Sequence, residues 1–438
     1  MTISSPAACG VGIDFGTTNS VVARALDHGQ SSLVEFAAPD GMTAVFRSAL
    51  CFWQGETMRG ALGHEAGPWA IAEFLDFPQG SRFLQSFKSM AANSLFESAS
   101  LFDKRLRFEE LGQIFLKHLL THGEIALNDL PDTIVIGRPV RYVGARPDAA
   151  LARERYDAMF AVLGRPINYV YEPLGAAYSF ASRLADPATI LVADFGGGTS
   201  DFSIVRVEAP GAARRCVPLA SAGVGIAGDT FDYRIMDHLV LPLLGKGSTY
   251  RSFDKVLTIP AGHFADFGDW SRLALMRNRR TLAELARLQH SATDPAMIQR
   301  MIAVIESELG HSLYEAVGQL KRTLSSETHA ELHFRGPGLT IDADVSREDF
   351  ESWIAPDLRR IDQTVDEALA KAGMSPDQID HVFLTGGSSL IPAVRKLFQQ
   401  RFGEQRIEQG NELTSIAHGL ALMAVDPDLH SWVAADDA

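Results

Sequence analysis

Two short segments carry residue types suited to binding phosphate and magnesium. Residues 14–20 read Asp-Phe-Gly-Thr-Thr-Asn-Ser, and 180 positions later (194 − 14) residues 194–200 read Asp-Phe-Gly-Gly-Gly-Thr-Ser. Glycine and asparagine tolerate positive φ, and small side chains leave backbone N–H groups open to phosphate oxygens. An aspartate just before each such turn can hold Mg²⁺ through its waters, since the ion prefers carboxylate-plus-phosphate sites. Two facing copies would therefore clamp one triphosphate.

Apolar segments on both sides of each copy predict the elements that position these residues. Residues 11–13 and 190–193 lead in, while residues 21–23 and 202–207 lead out, with the composition of short strands. Each copy is thus predicted to be a β-hairpin whose tip carries the polar residues. Strands alternate with helical segments in both halves, which predicts α/β lobes with mixed sheets covered by helices.

Polar residues also lie at the ends of two further predicted strands. Glu172 ends the strand predicted over residues 167–172 and precedes Pro173, which fits the first turn of a helix. We expect Glu172 to point into the cleft, although the helix dipole would also favour an acid there for purely structural reasons. In the second half, the strand over residues 382–385 runs into Gly386-Gly387-Ser388-Ser389, and the helix that follows presents an N-terminus to a polar or anionic group.

Length and composition narrow the class of protein. A chain of 438 residues predicts two or three domains. The net charge of −14 argues against a nucleic-acid partner. Three widely spaced cysteines, Cys9, Cys51 and Cys216, form no Cys-x-x-Cys pair and suit a reducing cytoplasm. The sequence shows no signal-peptide pattern at its start and no run of ~20 apolar residues, so we expect no membrane association.

Two further motif matches are weaker evidence for a function, because each lacks residues that normally accompany the motif. Asp-Phe-Gly occurs in protein kinases, but no His-Arg-Asp loop accompanies it here. Residues 223–228 match a dinucleotide fingerprint without the acidic residue that should follow. We interpret this segment as a loop at the edge of the nucleotide; the alternative is a tight turn before a helix over residues 235–244.

Two other features carry no functional assignment. His118 and His122 lie four apart on a predicted helix, but the sequence offers no third ligand, so we predict a solvated or packed role and no metal besides Mg²⁺. The arginines within residues 270–287 could form a docking surface or a solvated helix face. The sequence leaves that choice open.

Taken together, the two hairpin motifs, Glu172-Pro173, residues 321–326 (Lys-Arg-Thr-Leu-Ser-Ser) and Gly386-Gly387-Ser388 resemble the ATPase domain of the DnaK-type heat-shock chaperones. The resemblance covers about residues 10–425 and is closest to the short YegD-like members. It implies an actin-like ATPase fold, with residues 1–187 and the returning segment 411–438 as lobe I, residues 188–410 as lobe II, and no peptide-binding domain.

The resemblance also implies roles for individual residues. Lys88, Glu172, Thr199 and Asp201 would arrange the attacking water, and Asp14 and Asp194 would hold Mg²⁺. The expected contacts to ATP or ADP come from both tips and from the segments that flank the nucleoside: Gly16, Thr17, Thr18, Asn19, Gly196, Gly197, Gly198, Gly228, Asp229, Lys321, Arg322, Ser325, Gly386, Gly387 and Ser388. Protein clients and a nucleotide-exchange factor are the expected protein partners.

The sequence departs from the chaperone pattern at two nucleoside positions. Leu390 stands where the chaperones carry an arginine on the adenine, and Gly318 stands where they carry a ribose-binding glutamate, with Glu315 nearby. Slow ATP hydrolysis is the function we expect. A sugar-type kinase and an actin-like filament protein are the alternatives on the same fold.

Overall fold

The computed structural model describes residues 10–26, 29–54, 62–78, 80–142, 146–181, 183–209, 215–268, 273, 276–409 and 414–433. Cys9, Trp270, Arg272 and the acidic residues at the end of the sequence lie outside the described residues. None of the helices in these ranges is long and apolar enough to span a bilayer.

The described chain has the mixed α/β composition that the sequence predicted, although its first eight strands precede the first α-helix. The strands are β1 (Gly10–Phe15), β2 (Asn19–Leu26), β3 (Gln30–Leu33), β4 (Phe36–Ala38), β5 (Gly41–Thr43), β6 (Phe46–Arg47), β7 (Ala49–Gln54), β8 (Leu62–Ala66), β9 (Ser81–Gln85), β10 (Ala99–Leu101), β11 (Lys104–Leu106), β12 (Ile134–Arg138), β13 (Ile167–Tyr171), β14 (Ala188–Phe195), β15 (Ser200–Ala209), β16 (Arg215–Val224), β17 (Thr249–Ser252), β18 (Lys255–Thr258), β19 (His329–Gly336), β20 (Leu339–Ser346), β21 (His381–Thr385) and β22 (Ile407–Gln409). The α-helices are α1 (Gly67–Asp76), α2 (Phe108–His122), α3 (Ala149–Phe160), α4 (Glu172–Ala181), α5 (Gly228–Ile235), α6 (Arg279–Ser291), α7 (Pro295–Glu306), α8 (Gly310–Ser326), α9 (Arg347–Ala372), α10 (Pro392–Phe402) and α11 (Ser415–Met423).

Two principal sheets share one topology. The first has the order β13-β12-β1-β2-β3, and the second has the order β22-β21-β14-β15-β16. In each sheet three consecutive strands, β1–β3 or β14–β16, form an antiparallel meander. The first strand of each meander also pairs in parallel with a later strand, β12 or β21, and that strand pairs in parallel with β13 or β22. The sequence echo is therefore part of a structural duplication.

Helices α4 and α11 lie between the two sheets. Every residue of α4 is buried, which its small side chains permit. Helix α11 packs on α4 and across β1, β2 and β12. Side chains from both sheets, such as Val135 and Val192, join one apolar cluster with the two helices. Because β14 is covered on both faces, it is buried along its whole length.

One predicted helix boundary is wrong. The helix expected over residues 235–244 begins earlier, at Gly228, and α5 ends at Ile235, where π-helical and then 3₁₀ turns follow. The start was missed because Gly228 and Asp229 read as a turn, while their backbone N–H groups bond to the second hairpin tip.

Candidate functional site

The tips of the two duplicated hairpins face each other. A Cβ atom built on Gly197, in the β14–β15 tip, would lie 2.4 Å from Thr18 Oγ1 and 3.4 Å from Thr17 Cβ, in the β1–β2 tip. A side chain at position 197 would therefore collide with the first tip. The structure thus brings together the two segments that the sequence marked for phosphate binding.

Backbone hydrogen bonds fix the second tip. Gly196 N donates to Thr199 O over 2.9 Å and closes the turn, with Gly198 inside it. The N-terminus of α5 then donates to the same tip, from Gly228 N to Gly196 O (3.3 Å) and from Asp229 N to Gly197 O (2.8 Å). These bonds join the tip to the segment predicted to lie at the nucleotide edge.

The predicted catalytic carboxylates surround a buried ion pair. Lys88 Nζ donates to Glu172 Oε1 over 2.6 Å, and both side chains are less than 10% exposed. Glu172 is the first residue of α4, not the last residue of β13. Lys88 lies in a 3₁₀ turn after β9. Ser86 has a left-handed φ of 55° just before this turn, and its N–H bonds to Ser48 O.

The hairpin aspartates are buried close to this pair. Burial and the charge of Glu172 raise the pKa of Asp14 to about 7, although Lys88 lowers it. The same causes raise the pKa of Asp194 well above its usual value, with Asp14 and Asp201 contributing. Burial lowers the pKa of Lys88, but Glu172 and Asp14 outweigh this and raise it. The aspartates therefore favour the presence of an additional cation.

Asp201 breaks the symmetry between the two hairpins. It pairs with Asp194 across β14 and β15, whereas the equivalent residue of the first hairpin, Val21 (201 − 180), pairs with Asp14. Its side chain is fully buried, Oδ1 accepts a hydrogen bond from Val140 N over 3.1 Å, and burial with the charge of Glu172 raises its pKa to about 7. Gly223, its partner on β16, leaves room for the carboxylate, since a Cβ there would lie 2.3 Å from Oδ1.

The residues expected near the nucleoside also converge, but some are bound to protein groups. Lys321 Nζ pairs with Asp232 (2.9 Å) and donates to Gly228 O (3.1 Å). Ser388 Oγ is 3.0 Å from where a Cβ on Gly228 would lie, so both flank one space. Ser325 Oγ donates to Lys321 O of its own helix, which leaves its oxygen lone pairs available to a ligand.

The departures from the chaperone pattern lie on the exposed side of this region. Arg322 pairs with Glu315 over 2.9 Å, and both side chains are more than half exposed. Glu315, near Gly318 on α8, is therefore held by a guanidinium in this structure. Leu390 is also about half exposed.

Sequence reasoning missed two residues that support the first tip. Ser48 N donates to Thr18 O (2.9 Å), and Ser48 Oγ donates to Gly16 O (2.6 Å). Arg47 Nη1 donates to Asn19 Oδ1 over 3.0 Å, and burial lowers the pKa of Arg47. Charges that act on Arg47 include Glu315, Arg322 and Asp229 from across the cleft. Arg47 ends the two-residue strand β6 and Ser48 follows it. A strand this short gives no periodic sequence pattern from which these two residues could be predicted.

An ion-pair cluster joins the two halves away from the tips. Arg82 Nη1 donates to Glu308 Oε1 over 3.1 Å, and Arg277 Nη1 contacts the same oxygen. Arg82 lies on β9 in the first half, and Glu308 follows α7 in the second. Arg277, one of the arginines of the segment 270–287, lies in the second half and contacts the same carboxylate that Arg82 reaches from the first half.

These residues fit a magnesium-bound nucleotide. The buried aspartates at the end of β1 and β14 have raised pKa values that a divalent cation would reverse. In the tip opposite Thr17 and Thr18, Gly197 occupies a position where any side chain would collide with these threonines. The donor set is oxygen, which Mg²⁺ prefers.

Comparison with known proteins agrees with this geometry. The family model described as Hsp70 protein matches residues 301–426. The chain is 25% identical to the "Chaperone protein DnaK" of Thermus thermophilus, with 94% of this chain and 60% of that protein covered. It is 26% identical to the protein of the same name from Deinococcus radiodurans, with 94% and 59% covered. The chain thus spans about three fifths of the length of these relatives.

The duplicated sheets with facing hairpin tips and helices between them define an actin-like ATPase fold. Within that class, the chain is similar to the Hsp70 family and to its DnaK-type chaperone proteins. The resemblance seen in the sequence motifs is confirmed.

Proposed function

We propose that this protein binds ATP with Mg²⁺ in the cleft between its duplicated halves and hydrolyses it slowly to ADP and phosphate. The observation that carries the proposal is the buried Lys88–Glu172 ion pair, set among Asp14, Asp194 and Asp201 beside the facing tips. Phosphoryl transfer depends mainly on positioning and charge stabilisation, which such an arrangement supplies.

Each residue has a defined part in the proposal. Asp14 and Asp194 would hold Mg²⁺ through its waters, and the ion would neutralise charge on the phosphate oxygens. The backbone N–H groups of both tips, with Thr17, Thr18 and Thr199, would hold the phosphates. Lys88, Glu172 and Asp201 would orient the attacking water. Gly228, Asp229, Lys321, Arg322, Ser325, Gly386, Gly387 and Ser388 would surround the nucleoside.

The structure gives a reason to expect slow turnover. Lys88 is already bound to Glu172 in a buried contact of 2.6 Å. To reach a phosphate oxygen or a water, its ammonium must share or leave this contact, and separating a buried ion pair is costly. We therefore infer that hydrolysis depends on closure around the nucleotide.

Protein clients, a nucleotide-exchange factor and a cytoplasmic location complete the proposal. Support for a client or exchange partner comes from the relatives, which are named as chaperone proteins. Support for a reducing compartment comes from the three widely spaced cysteines of the sequence, of which Cys51 and Cys216 are buried.

The decisive experiment resolves the products formed from Mg·ATP, with and without a panel of sugars. ADP and free phosphate in equal amounts, independent of sugar, are the expected result. Formation of a phosphorylated sugar would instead identify a small-molecule kinase. Light scattering that increases with ATP would identify a filament-forming protein, and absence of any turnover would contradict the proposed hydrolysis.

A further inference from the structure

Three side chains from two segments of the chain converge on one point outside the proposed nucleotide site. Glu65 lies on β8, and His118 and His122 lie one turn apart near the end of α2. His118 Nδ1 lies 2.7 Å from Glu65 Oε1, and His122 Nε2 lies 3.0 Å from the same oxygen. The sequence showed the two histidines but not their third partner, because the strand that carries Glu65 is more than 50 residues away.

The geometry is close to that of a metal site. Zn²⁺ bonds to imidazole nitrogen and carboxylate oxygen at about 2.0–2.2 Å, so tetrahedral donors stand about 3.3–3.5 Å apart. The two measured contacts are within about 0.8 Å of this spacing, and all three donor atoms lie within 4.8 Å of one another. A small outward shift of the carboxylate would admit an ion between the three donors.

Neighbouring groups hold the donors in place. His64 Nδ1 lies 2.8 Å from His118 Nε2, so His64 can accept a hydrogen bond from His118 Nε2–H once a metal ion replaces the proton that His118 Nδ1 shares with Glu65. Trp69 stacks on His122 with ring centroids 3.5 Å apart and planes 7° from parallel. Ala66 N donates to Glu65 Oε1 over 2.8 Å. Metal-binding histidines usually have such outer partners.

The site is accessible and charged. The side chains of Glu65, His118 and His122 are each about one fifth exposed, so an ion can enter from solvent. Burial raises the pKa of Glu65, but hydrogen bonds from His118 and His122 outweigh it and lower this pKa to about 2. The carboxylate is therefore ionised at neutral pH.

We propose that Glu65, His118 and His122 form a binding site for one divalent transition-metal cation, with His64 as the outer partner of His118. Two imidazole nitrogens and one carboxylate oxygen suit Zn²⁺ and its neighbours in the first transition row, while Mg²⁺ prefers oxygen alone. The ion joins β8 to α2 and leaves at least one coordination position for water or an added ligand.

The test uses the full-length, chelator-treated, nucleotide-free protein and Zn²⁺ as the probe. Isothermal titration is expected to show one equivalent of Zn²⁺ bound, undiminished by excess Mg²⁺. Co²⁺ in place of Zn²⁺ is expected to give visible absorption bands that Zn²⁺ then removes. His118→Ala and Glu65→Gln should each abolish the one-equivalent binding, and His64→Ala should weaken it by about 10–100-fold.

His290→Ala is the matched control, because His290 is exposed on α6, where its Nδ1 lies 2.7 Å from the carbonyl oxygen of Ala286. This variant should bind Zn²⁺ like the wild type. Zinc should also raise the melting temperature of the wild type and of His290→Ala, but not that of Glu65→Gln. No one-equivalent binding by the wild type, or equal binding by wild type and a correctly folded His118→Ala, would overturn the proposal. If His118→Ala fails to fold, the Co²⁺ spectrum of the wild type and the Zn²⁺ titration of Glu65→Gln test the proposal instead. Absence of the Co²⁺ bands, or one-equivalent Zn²⁺ binding by Glu65→Gln, would overturn it.

Discussion

Lys88 Nζ lies 2.6 Å from Glu172 Oε1, and this buried contact joins the turn after β9 to the first residue of α4. The two residues are 84 positions apart. Glu172 is thus held by an ammonium group and not simply by the dipole of its helix, which was the structural alternative left open by the sequence. The pair is central to the proposed hydrolysis because it places a positive charge among three buried aspartates.

Lys88→Ala is expected to reduce single-turnover hydrolysis by about 10²–10³-fold, because one preorganised donor is lost from the transition state. ATP affinity, measured by calorimetry, should change by less than about tenfold. The substitution also leaves Glu172 buried without this partner, so we expect a loss of about 3–5 kcal/mol in the free energy of unfolding.

Two variants separate these effects. Adding Glu172→Gln to Lys88→Ala should recover much of the stability without recovering the rate. Asp194→Asn should lower both Mg·ATP affinity and rate, because it alters the proposed magnesium site. A wild-type rate in folded Lys88→Ala would exclude Lys88 from catalysis.

Asp201 predicts a specific pH dependence of stability. Its pKa is about 7 in the folded protein and is expected near the ordinary 3.8 when unfolded. Between these values the folded state holds the proton more tightly, so stability should fall as pH rises from about 4 to 7. Asp201→Asn removes this titration while an amide oxygen can still accept from Val140 N. The difference in unfolding free energy between the two proteins should change across this window by up to about 4 kcal/mol.

Denaturant unfolding without nucleotide or Mg²⁺ at several pH values checks this prediction. Parallel pH curves for wild type and Asp201→Asn would show that Asp201 does not titrate in the window.

The hairpins could be predicted from the sequence because their signal is local. Apolar strands flank Gly-rich tips, and the repeat at 180 residues by itself indicates a duplication. The strand predicted over residues 382–385 and the helix beginning at Pro392 carried equally local signals and are confirmed.

The remaining parts of the site depend on contacts between distant segments. Arg47 reaches Asn19 from a two-residue strand, too short to produce a periodic pattern. Glu65 meets His118 only because β8 packs against α2. The start of α5 was misplaced because Gly228 and Asp229 favour a turn locally, whereas bonding to the second tip places them in a helix.

The Arg82–Glu308 contact predicts faster nucleotide release when it is removed. Glu308→Gln weakens the charge interaction with Arg82, which must break if the two halves separate, and the interaction with Arg277 within the second half. Partly exposed pairs contribute on the order of 1 kcal/mol, so ADP release should accelerate about fivefold. Stopped-flow release of a fluorescent ADP analogue measures this rate.

Arg107→Ala is a suitable control for that experiment. Arg107 pairs with Glu109 over 3.0 Å, but both lie at the start of α2 in the first half. Its loss should leave the release rate unchanged. Equal release rates in wild type and Glu308→Gln would show that this contact does not restrain opening.

Adjacent glycines give the sharpest test of the proposed nucleoside side. Gly386 has φ of 82°, and a Cβ there would lie 2.1 Å from Phe195 O, at the end of β14. Gly387 has no atom within 4 Å of its added Cβ. Gly386→Ala should therefore cost roughly 1–3 kcal/mol or more in stability and displace the second tip, which weakens ATP binding. Gly387→Ala should leave stability within about 0.5 kcal/mol, because it meets open space in the ligand-free protein.

Nucleotide titration then separates packing from ligand contact. If Gly387 lies against the nucleoside as proposed, Gly387→Ala should lower the affinity for ATP and for ADP alike, with an unchanged melting temperature before nucleotide is added. Unchanged affinity for both nucleotides would remove Gly387 from the proposed site. An unchanged melting temperature in Gly386→Ala would contradict the close approach of Gly386 to Phe195, and with it the proposed link between this loop and the phosphate-binding tip.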